Sequence, residues 1–201
     1  MKLYDGLLSG NAYKARLLLS LLGLEHELVN VDLARGENRT VSFLKLNPRG
    51  QIPVLVDGDV TIWDSQAVLV YLARRYGDPH WYPLDPVPLA TVNQWLAFSE
   101  NECLFGMARA RAVKVFNRPF DFDQCQEYAL SGLRVLDAHL ADRDWLATDE
   151  VTVADIACYP YVGLIPVAEI NLYAHENVVA WMKRIQRLPG YIDMPGIDRI
   201  A

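Results

Sequence analysis

The chain has 201 residues, 52% of them hydrophobic and 22% charged, which suits one large or two small folded domains and excludes a disordered protein. Its formal charge of −6, with no basic stripe, argues against a nucleic-acid partner. No apolar run approaches the roughly 18 residues of a membrane-spanning helix, and the N-terminus does not resemble a secretory signal. Three widely spaced cysteines and four scattered histidines argue against a disulfide scaffold and a metal site. We therefore expect a cytoplasmic protein with no membrane or metal partner.

The first part of the chain alternates between strand and helix patterns. Short strands are predicted at Lys2–Tyr4 and Glu27–Val31, and the helix between them begins after Ser9 or Asn11 and runs to Gly23. Because a helical crossover joins the two strands, they should be parallel.

A second set of elements follows a polar loop. A short helix is predicted at Val41–Leu46, and an Asp-Gly-Asp turn joins strands at Pro53–Val56 and Val60–Trp63. The pair Asp64-Ser65 then caps a helix at Gln66–Tyr76. The order β-α-β followed by β-β-α is that of a thioredoxin-like domain.

A proline-rich segment separates this region from a purely helical one. Four prolines and little periodicity indicate a linker over residues 78–88, between a thioredoxin-like domain at 1–77 and a helical domain at 89–201. The fold class is therefore α/β plus all-α, with an N-terminal thioredoxin-like domain and a C-terminal helical bundle. The later helices are predicted at Leu89–Val113, Phe122–Leu140, Val153–Leu164 and Asn177–Arg187.

Four motifs in this order resemble those of the cytosolic glutathione S-transferases. They are Asn47–Leu55 (NPRGQIPVL, similar to the segment around the family's cis-proline), Asp64–Ala73 (DSQAVLVYLA), Thr152–Asp155 (TVAD, a capping box) and Leu188–Tyr191 (LPGY). The segment Ser9–Arg16 (SGNAYKAR) aligns with the serine-type pattern and also resembles the Thr-Pro-Asn-x-x-Lys-Val pattern of the bacterial nu-class. The resemblance implies glutathione as co-substrate and a bacterial serine or asparagine type of enzyme.

The candidate catalytic residues lie where the first strand turns into the first helix. A cysteine thiol titrates near pH 8.5, so an enzyme must favour the thiolate of glutathione with hydrogen-bond donors and a helix N-terminus. Ser9 and Asn11 occupy that position, and the resemblance assigns them this role. Two alternatives stay open, because Ser9 also suits a plain N-cap and Tyr4 is a strand tyrosine of the kind that some classes use.

The resemblance also suggests how glutathione is bound. A cis peptide bond at Pro53 would leave the backbone of Ile52 free to pair with the cysteinyl part of the peptide. Asp64 and Ser65 begin a helix, whose N–H groups can hold the γ-glutamyl carboxylate while Asp64 meets the ammonium group.

Further residues are assigned to the two ends of the site. Arg39 and Gln51 are the candidates for the glycine carboxylate of glutathione. A second-substrate pocket between the domains would be lined by Phe105, Arg109 and Tyr161.

The sequence thus predicts a glutathione transferase that activates the thiol for attack on a hydrophobic electrophile. The alternatives are a glutathione-dependent disulfide or peroxide reductase, and a non-enzymatic binding or assembly module of the same fold. No cysteine precedes Cys103, which argues against thiol exchange through the protein's own cysteine. The resemblance implies a two-fold homodimer, formed through helices that start near Gln66 and Leu89.

Overall fold

A four-stranded sheet forms the N-terminal domain of the protein, whose computed structural model describes residues 1–200. The strand order is β2-β1-β3-β4; β1 and β2 are parallel as predicted, and the other two pairs are antiparallel. The elements are β1 (Lys2–Asp5), α1 (Gly10–Leu21), β2 (Glu27–Asn30), α2 (Val41–Leu46), β3 (Val54–Asp57), β4 (Val60–Trp63) and α3 (Ser65–Tyr76), with a 3₁₀ turn at Glu37–Arg39. This arrangement confirms the thioredoxin-like prediction.

The regular secondary structure in the rest of the described chain is entirely helical, which confirms the all-α prediction for this part. None of the helices found in residues 1–200 is both long enough and apolar enough to cross a membrane. The elements are α4 (Pro86–Phe98), a π-helix (Ser99–Ala108), α5 (Arg109–Phe116), α6 (Phe122–His139), α7 (Val153–Gly163) and α8 (Glu176–Gln186), with 3₁₀ turns at Pro79–Trp81 and Ile165–Ala168.

The helix predicted over Leu89–Val113 differs from the structure at its start and in its middle. α4 begins at Pro86, inside the segment assigned to the linker, because proline is favoured in the first turn of a helix, where its missing N–H costs nothing. The single helix predicted over Leu89–Val113 is interrupted by the π-helix, in which Gly106 packs against the backbone of α6. A Cβ at Gly106 would lie only 2.6 Å from the backbone nitrogen of Ala129, so glycine is required at this close approach.

Helix α1 lies at the centre of the molecule, between α3 and α7. Its apolar side chains from Ala12 to Leu19 are fully buried, and the Tyr13 hydroxyl donates to the carbonyl of Ile192 at 2.6 Å, which connects the helix to the C-terminal segment. The N-terminus of α1 therefore sits where the sheet domain and the helical domain meet.

A buried ion pair fixes the loop that leads into α1. Arg16 Nη1 lies 2.6 Å from Asp5 Oδ2, and Arg16 Nη2 donates to the carbonyl of Leu7 at 3.0 Å. The pair joins the end of β1 to the body of the helix, so the residues between them, including Ser9, are held in place.

Candidate active site

A cleft opens between the two domains, at the start of α1. Its walls come from α1, from the loop before β3, from the first turn of α3 and from the π-helix of the helical domain. The lining residues are Asn11, Asn47, Arg49, Gln51, Ile52, Pro53, Asp64, Ser65, Glu100 and Leu104. Both domains thus contribute side chains to one cleft.

The first turn of α1 presents polar groups at one end of this cleft. Ser9 is the N-cap, and its Oγ accepts a hydrogen bond from the N–H of Ala12 at 3.2 Å. The hydroxyl proton of Ser9 has no acceptor among residues 1–200, so it is available to a ligand. Asn11 lines the cleft, and its buried Oδ1 has no hydrogen-bond partner within the described residues.

Tyr161 of α7 packs directly against this turn. A Cβ at Gly10 would lie 2.7 Å from the ring of Tyr161, so only glycine allows the contact. Burial raises the pKa of the Tyr161 phenol, and the charge of Arg111 opposes this effect. Tyr161 therefore stands behind the start of α1 and is not among the residues that line the cleft.

The loop before β3 forms one side wall. The Ile52–Pro53 peptide bond is cis, as the resemblance predicts. The buried Asn47 holds the loop from within, because its Nδ2 donates to the carbonyl of Gln51 at 2.7 Å and its Oδ1 accepts from the N–H of Arg49 at 2.9 Å. The backbone that leads into Pro53 is thereby fixed at the edge of the cleft.

The first turn of α3 forms the opposite end of the cleft. Asp64 is the N-cap, with Oδ1 accepting from the N–H of Gln66 at 3.0 Å. Its backbone has φ 77°, a region that costs non-glycine residues about 1–3 kcal/mol and is concentrated at functional sites. The hydroxyl of Ser65 makes no hydrogen bond within residues 1–200, and the free N–H groups of this turn carry the positive end of the helix dipole.

A polar network from the helical domain faces this turn. Glu100 lies across from Ser65, and its Oε1 accepts from Gln66 Nε2 at 2.7 Å and lies 3.7 Å from Lys14 Nζ. Lys14 is fully buried and also donates to Ser99 Oγ at 3.1 Å. Burial lowers the pKa of Lys14, and the charge of Glu100 partly opposes this effect.

Five predicted site residues are not among the residues that line the cleft: Ser9, Arg39, Phe105, Arg109 and Tyr161. Arg39 is exposed, and its Nη1 lies 3.4 Å from the carbonyl oxygen of Arg49. Phe105 is 40% exposed, and the Arg109 guanidinium stacks over its ring at 4.0 Å and over that of Phe120 at 4.9 Å. The side chains of Phe105, Arg109 and Phe120 form a separate surface at the junction of the π-helix and α5.

Sequence reasoning missed four residues of the cleft: Asn47, Arg49, Glu100 and Leu104. Asn47 and Arg49 lie within the motif before the cis-proline, so their position in that loop was an available signal. Glu100 and Leu104 lie on the π-helix, and no local pattern indicates which of its side chains face the other domain.

The comparisons with known proteins agree with this geometry. Residues 1–74 match the family model of the glutathione S-transferase N-terminal domain, and residues 89–189 match that of the C-terminal domain. The mouse glutathione S-transferase theta-1 is 29% identical over 94% of this chain and 84% of its own length. A glutathione S-transferase structure from Pseudomonas fluorescens superposes with a TM-score of 0.91, at 31% identity, over 96% of this chain and 98% of that one.

A further solved structure carries the ligand that the resemblance implies. The glutathione transferase homolog from Drosophila mojavensis, determined with bound glutathione, has a TM-score of 0.84 at 26% identity and covers 94% of this chain and 88% of its own. The same two domains in the same order, matched over nearly the whole chain, establish that this protein belongs to the glutathione S-transferase family.

Proposed function

We propose that the protein is a glutathione transferase that activates the thiol at the N-terminus of α1 for conjugation to an electrophile. The observation that carries this proposal is a single cleft with the first turn of a helix at each end and the edge of the cis-proline loop between them. Glutathione is an anionic tripeptide with its thiol in the middle. It needs anion-binding groups at the γ-glutamyl end and hydrogen-bond donors near the sulfur.

The γ-glutamyl carboxylate binds at the first turn of α3 in this proposal. The free hydroxyl of Ser65 and the N–H groups of the turn donate to it, while Asp64 lies beside the ammonium group. The backbone of Ile52 pairs with the cysteinyl part. Gln51, which lines the cleft, and the nearby side chain of Arg39 receive the glycine carboxylate.

The sulfur then lies at the start of α1. Ser9 has an unused hydroxyl proton, and the Nδ2 group of Asn11 makes no hydrogen bond within residues 1–200, so each can donate to a thiolate. Together with the helix dipole, these donors favour the thiolate over the thiol and lower its pKa. This arrangement is the serine or asparagine type of activation suggested by the segment Ser9–Arg16.

The second substrate and the assembly are further parts of the proposal. The electrophile would approach from the side of the helical domain, where Phe105, Arg109 and Tyr161 lie. The protein would act in the cytoplasm as a two-fold homodimer, so a sedimentation mass near the 22.7 kDa of one chain would contradict this assembly.

A calorimetric titration with glutathione tests the binding mode. Ser65→Ala should weaken binding by about 1–3 kcal/mol, because the carboxylate loses a hydrogen-bond donor. Ser131→Ala, which removes an exposed hydroxyl from the middle of α6, is the matched control and should bind like the wild type. The wild type should also conjugate glutathione to an aryl halide. Equal affinity of the two variants would contradict the placement of the γ-glutamyl group.

A further inference from the structure

Arg111 of α5 carries a buried guanidinium group that has no carboxylate partner. The residue is only 5% exposed, and it makes no hydrogen bond or ion pair within residues 1–200. Its Nε is fully buried and unpaired, and its Cζ lies 5.0 Å from the centre of the Phe116 ring. Because a buried cation without an anion is unfavourable, burial lowers the pKa of this group. A bound anion would remove this cost.

The fold places Arg111 near the start of α1. Helix α5 packs against the 3₁₀ turn Ile165–Ala168, which follows α7, and Tyr161 lies in the last turn of α7. The guanidinium is close enough to the Tyr161 phenol for the charge of each group to act on the other. The ring of Tyr161 also packs against Gly10, the first residue of α1. Tyr161 thus links Arg111 to the region where the sulfur of glutathione is placed.

The groups around Tyr161 do not neutralise the charge of Arg111. Burial raises the pKa of the Tyr161 phenol, so the phenol stays protonated and uncharged near pH 7. Lys14, whose Nζ lies 5.3 Å from the centre of the Tyr161 ring, is itself a cation and already contacts Ser99 and Glu100. One positive charge therefore remains to be balanced. A carboxylate carries one negative charge, whereas a phosphate group carries up to two.

We infer that Arg111 binds the carboxylate of the second substrate, so that the enzyme selects electrophiles with an aryl carboxylate over neutral ones of the same shape. The inference rests on the proposed function, because it assumes that glutathione is conjugated at the start of α1. A guanidinium can donate two parallel N–H hydrogen bonds to a carboxylate, which fixes the orientation of the ligand. The ring of Phe116, which is 43% exposed, offers an apolar contact to the aryl part.

An aryl chloride that carries a carboxylate shows how the reaction balances. In 4-chloro-3-nitrobenzoate, the thiolate of glutathione forms a C–S bond at the carbon that carries the chlorine. The C–Cl bond breaks and chloride leaves with its electron pair, while the thiol proton passes to the solvent. The carboxylate, on the opposite side of the ring, keeps its charge throughout. Arg111 therefore binds and orients the substrate and takes no part in the bond changes.

The test compares this substrate with 4-chloro-3-nitrobenzamide, in which a neutral amide of the same shape replaces the carboxylate. Dividing each kcat/KM by the rate constant of the uncatalysed reaction with glutathione removes the difference in intrinsic reactivity. The wild type should prefer the carboxylate by about tenfold to a hundredfold, the range expected for a charge-assisted hydrogen bond. Arg111→Met should reduce this preference to less than about threefold, mainly by raising KM for the carboxylate.

Two further variants make the comparison decisive. Arg134→Met removes the same charge from an exposed position on α6 and should keep the wild-type preference. Arg111→Lys retains the charge but lacks the paired N–H groups, so it should show an intermediate preference. Thermal unfolding checks that each variant is folded, and Arg111→Lys provides the comparison if Arg111→Met does not fold.

The outcomes separate this inference from the proposed function. If the wild type accelerates both reactions equally, or if Arg111→Met keeps the preference, Arg111 does not bind the carboxylate and the inference fails alone. If the wild type conjugates neither compound, the inference also fails, and a calorimetric titration with glutathione then shows whether the proposed function fails with it.

Discussion

Arg16→Met should destabilise the protein by about 3–5 kcal/mol, because it leaves a buried carboxylate without its cation. The side chains of Arg16 and Asp5 are only 7% and 8% exposed, and their charged atoms lie 2.6 Å apart. The second oxygen of Asp5 is buried and has no partner within residues 1–200, so the loss of Arg16 would leave the whole charge unpaired.

The chain offers a matched control on the same strand. Lys2 and Glu27 form an ion pair at 3.2 Å, but their side chains are 52% and 58% exposed. Lys2→Met should therefore lower the free energy of unfolding by no more than about 1 kcal/mol. The double variant Asp5→Leu/Arg16→Met should recover most of the loss, because an apolar pair leaves no charge buried without a partner.

Urea unfolding followed by tryptophan fluorescence measures these differences, since the chain has five tryptophans. The expected order of stability is wild type, then Lys2→Met, then Arg16→Met, with the double variant above the single Arg16→Met. A loss below about 1 kcal/mol for Arg16→Met would refute the reasoning, because it would mean that the buried pair is worth no more than an exposed one.

Two other features lead to direct predictions. Asp155→Ala should lower the free energy of unfolding by about 3 kcal/mol or more, because the buried N–H donors of Leu146, Thr152 and Trp181 lose their acceptor at about 1–3 kcal/mol each. The same urea titration measures this loss, and a loss below about 1 kcal/mol would contradict the prediction. All three cysteines are buried, and burial raises the pKa of Cys125 and Cys158. An aromatic disulfide reagent should therefore label the native protein slowly, whereas it should label the denatured protein at three sites. Rapid labelling of the folded protein would show that a thiol is accessible.

The sequence predicted best the elements that depend on local patterns. α2 at Val41–Leu46 and β4 at Val60–Trp63 have the predicted bounds, because capping residues and a tight turn define their ends. The cis bond at Pro53 came from the family resemblance alone, since most X-Pro bonds are trans. Local sequence patterns and one recognised motif thus predict most of the elements of the sheet domain.

The features that depend on contact between distant segments were missed. The π-helix is built around the close approach of Gly106 to α6, which no single-helix pattern reveals. Glu100 joins the cleft because the helical domain packs against α3, and Gln66 then bonds to it across the interface. The start of α4 at Pro86 could have been predicted, since proline suits the first turn of a helix. The cluster of four prolines instead favoured the prediction of a linker.

The thiolate titration of bound glutathione tests the central claim most directly. Ultraviolet absorbance of the enzyme-bound thiolate against pH gives its midpoint, which should lie below that of free glutathione in the wild type. The double variant Ser9→Ala/Asn11→Ala should raise the midpoint by about one to two pH units, each worth about 1.4 kcal/mol. The two residues are changed together because either donor can compensate for the other. The control Tyr4→Phe leaves Ser9 and Asn11 intact and should keep the wild-type midpoint. If the double variant titrates like the wild type and Tyr4→Phe does not, Ser9 is only the N-cap of α1 and the tyrosine of β1 activates the thiol.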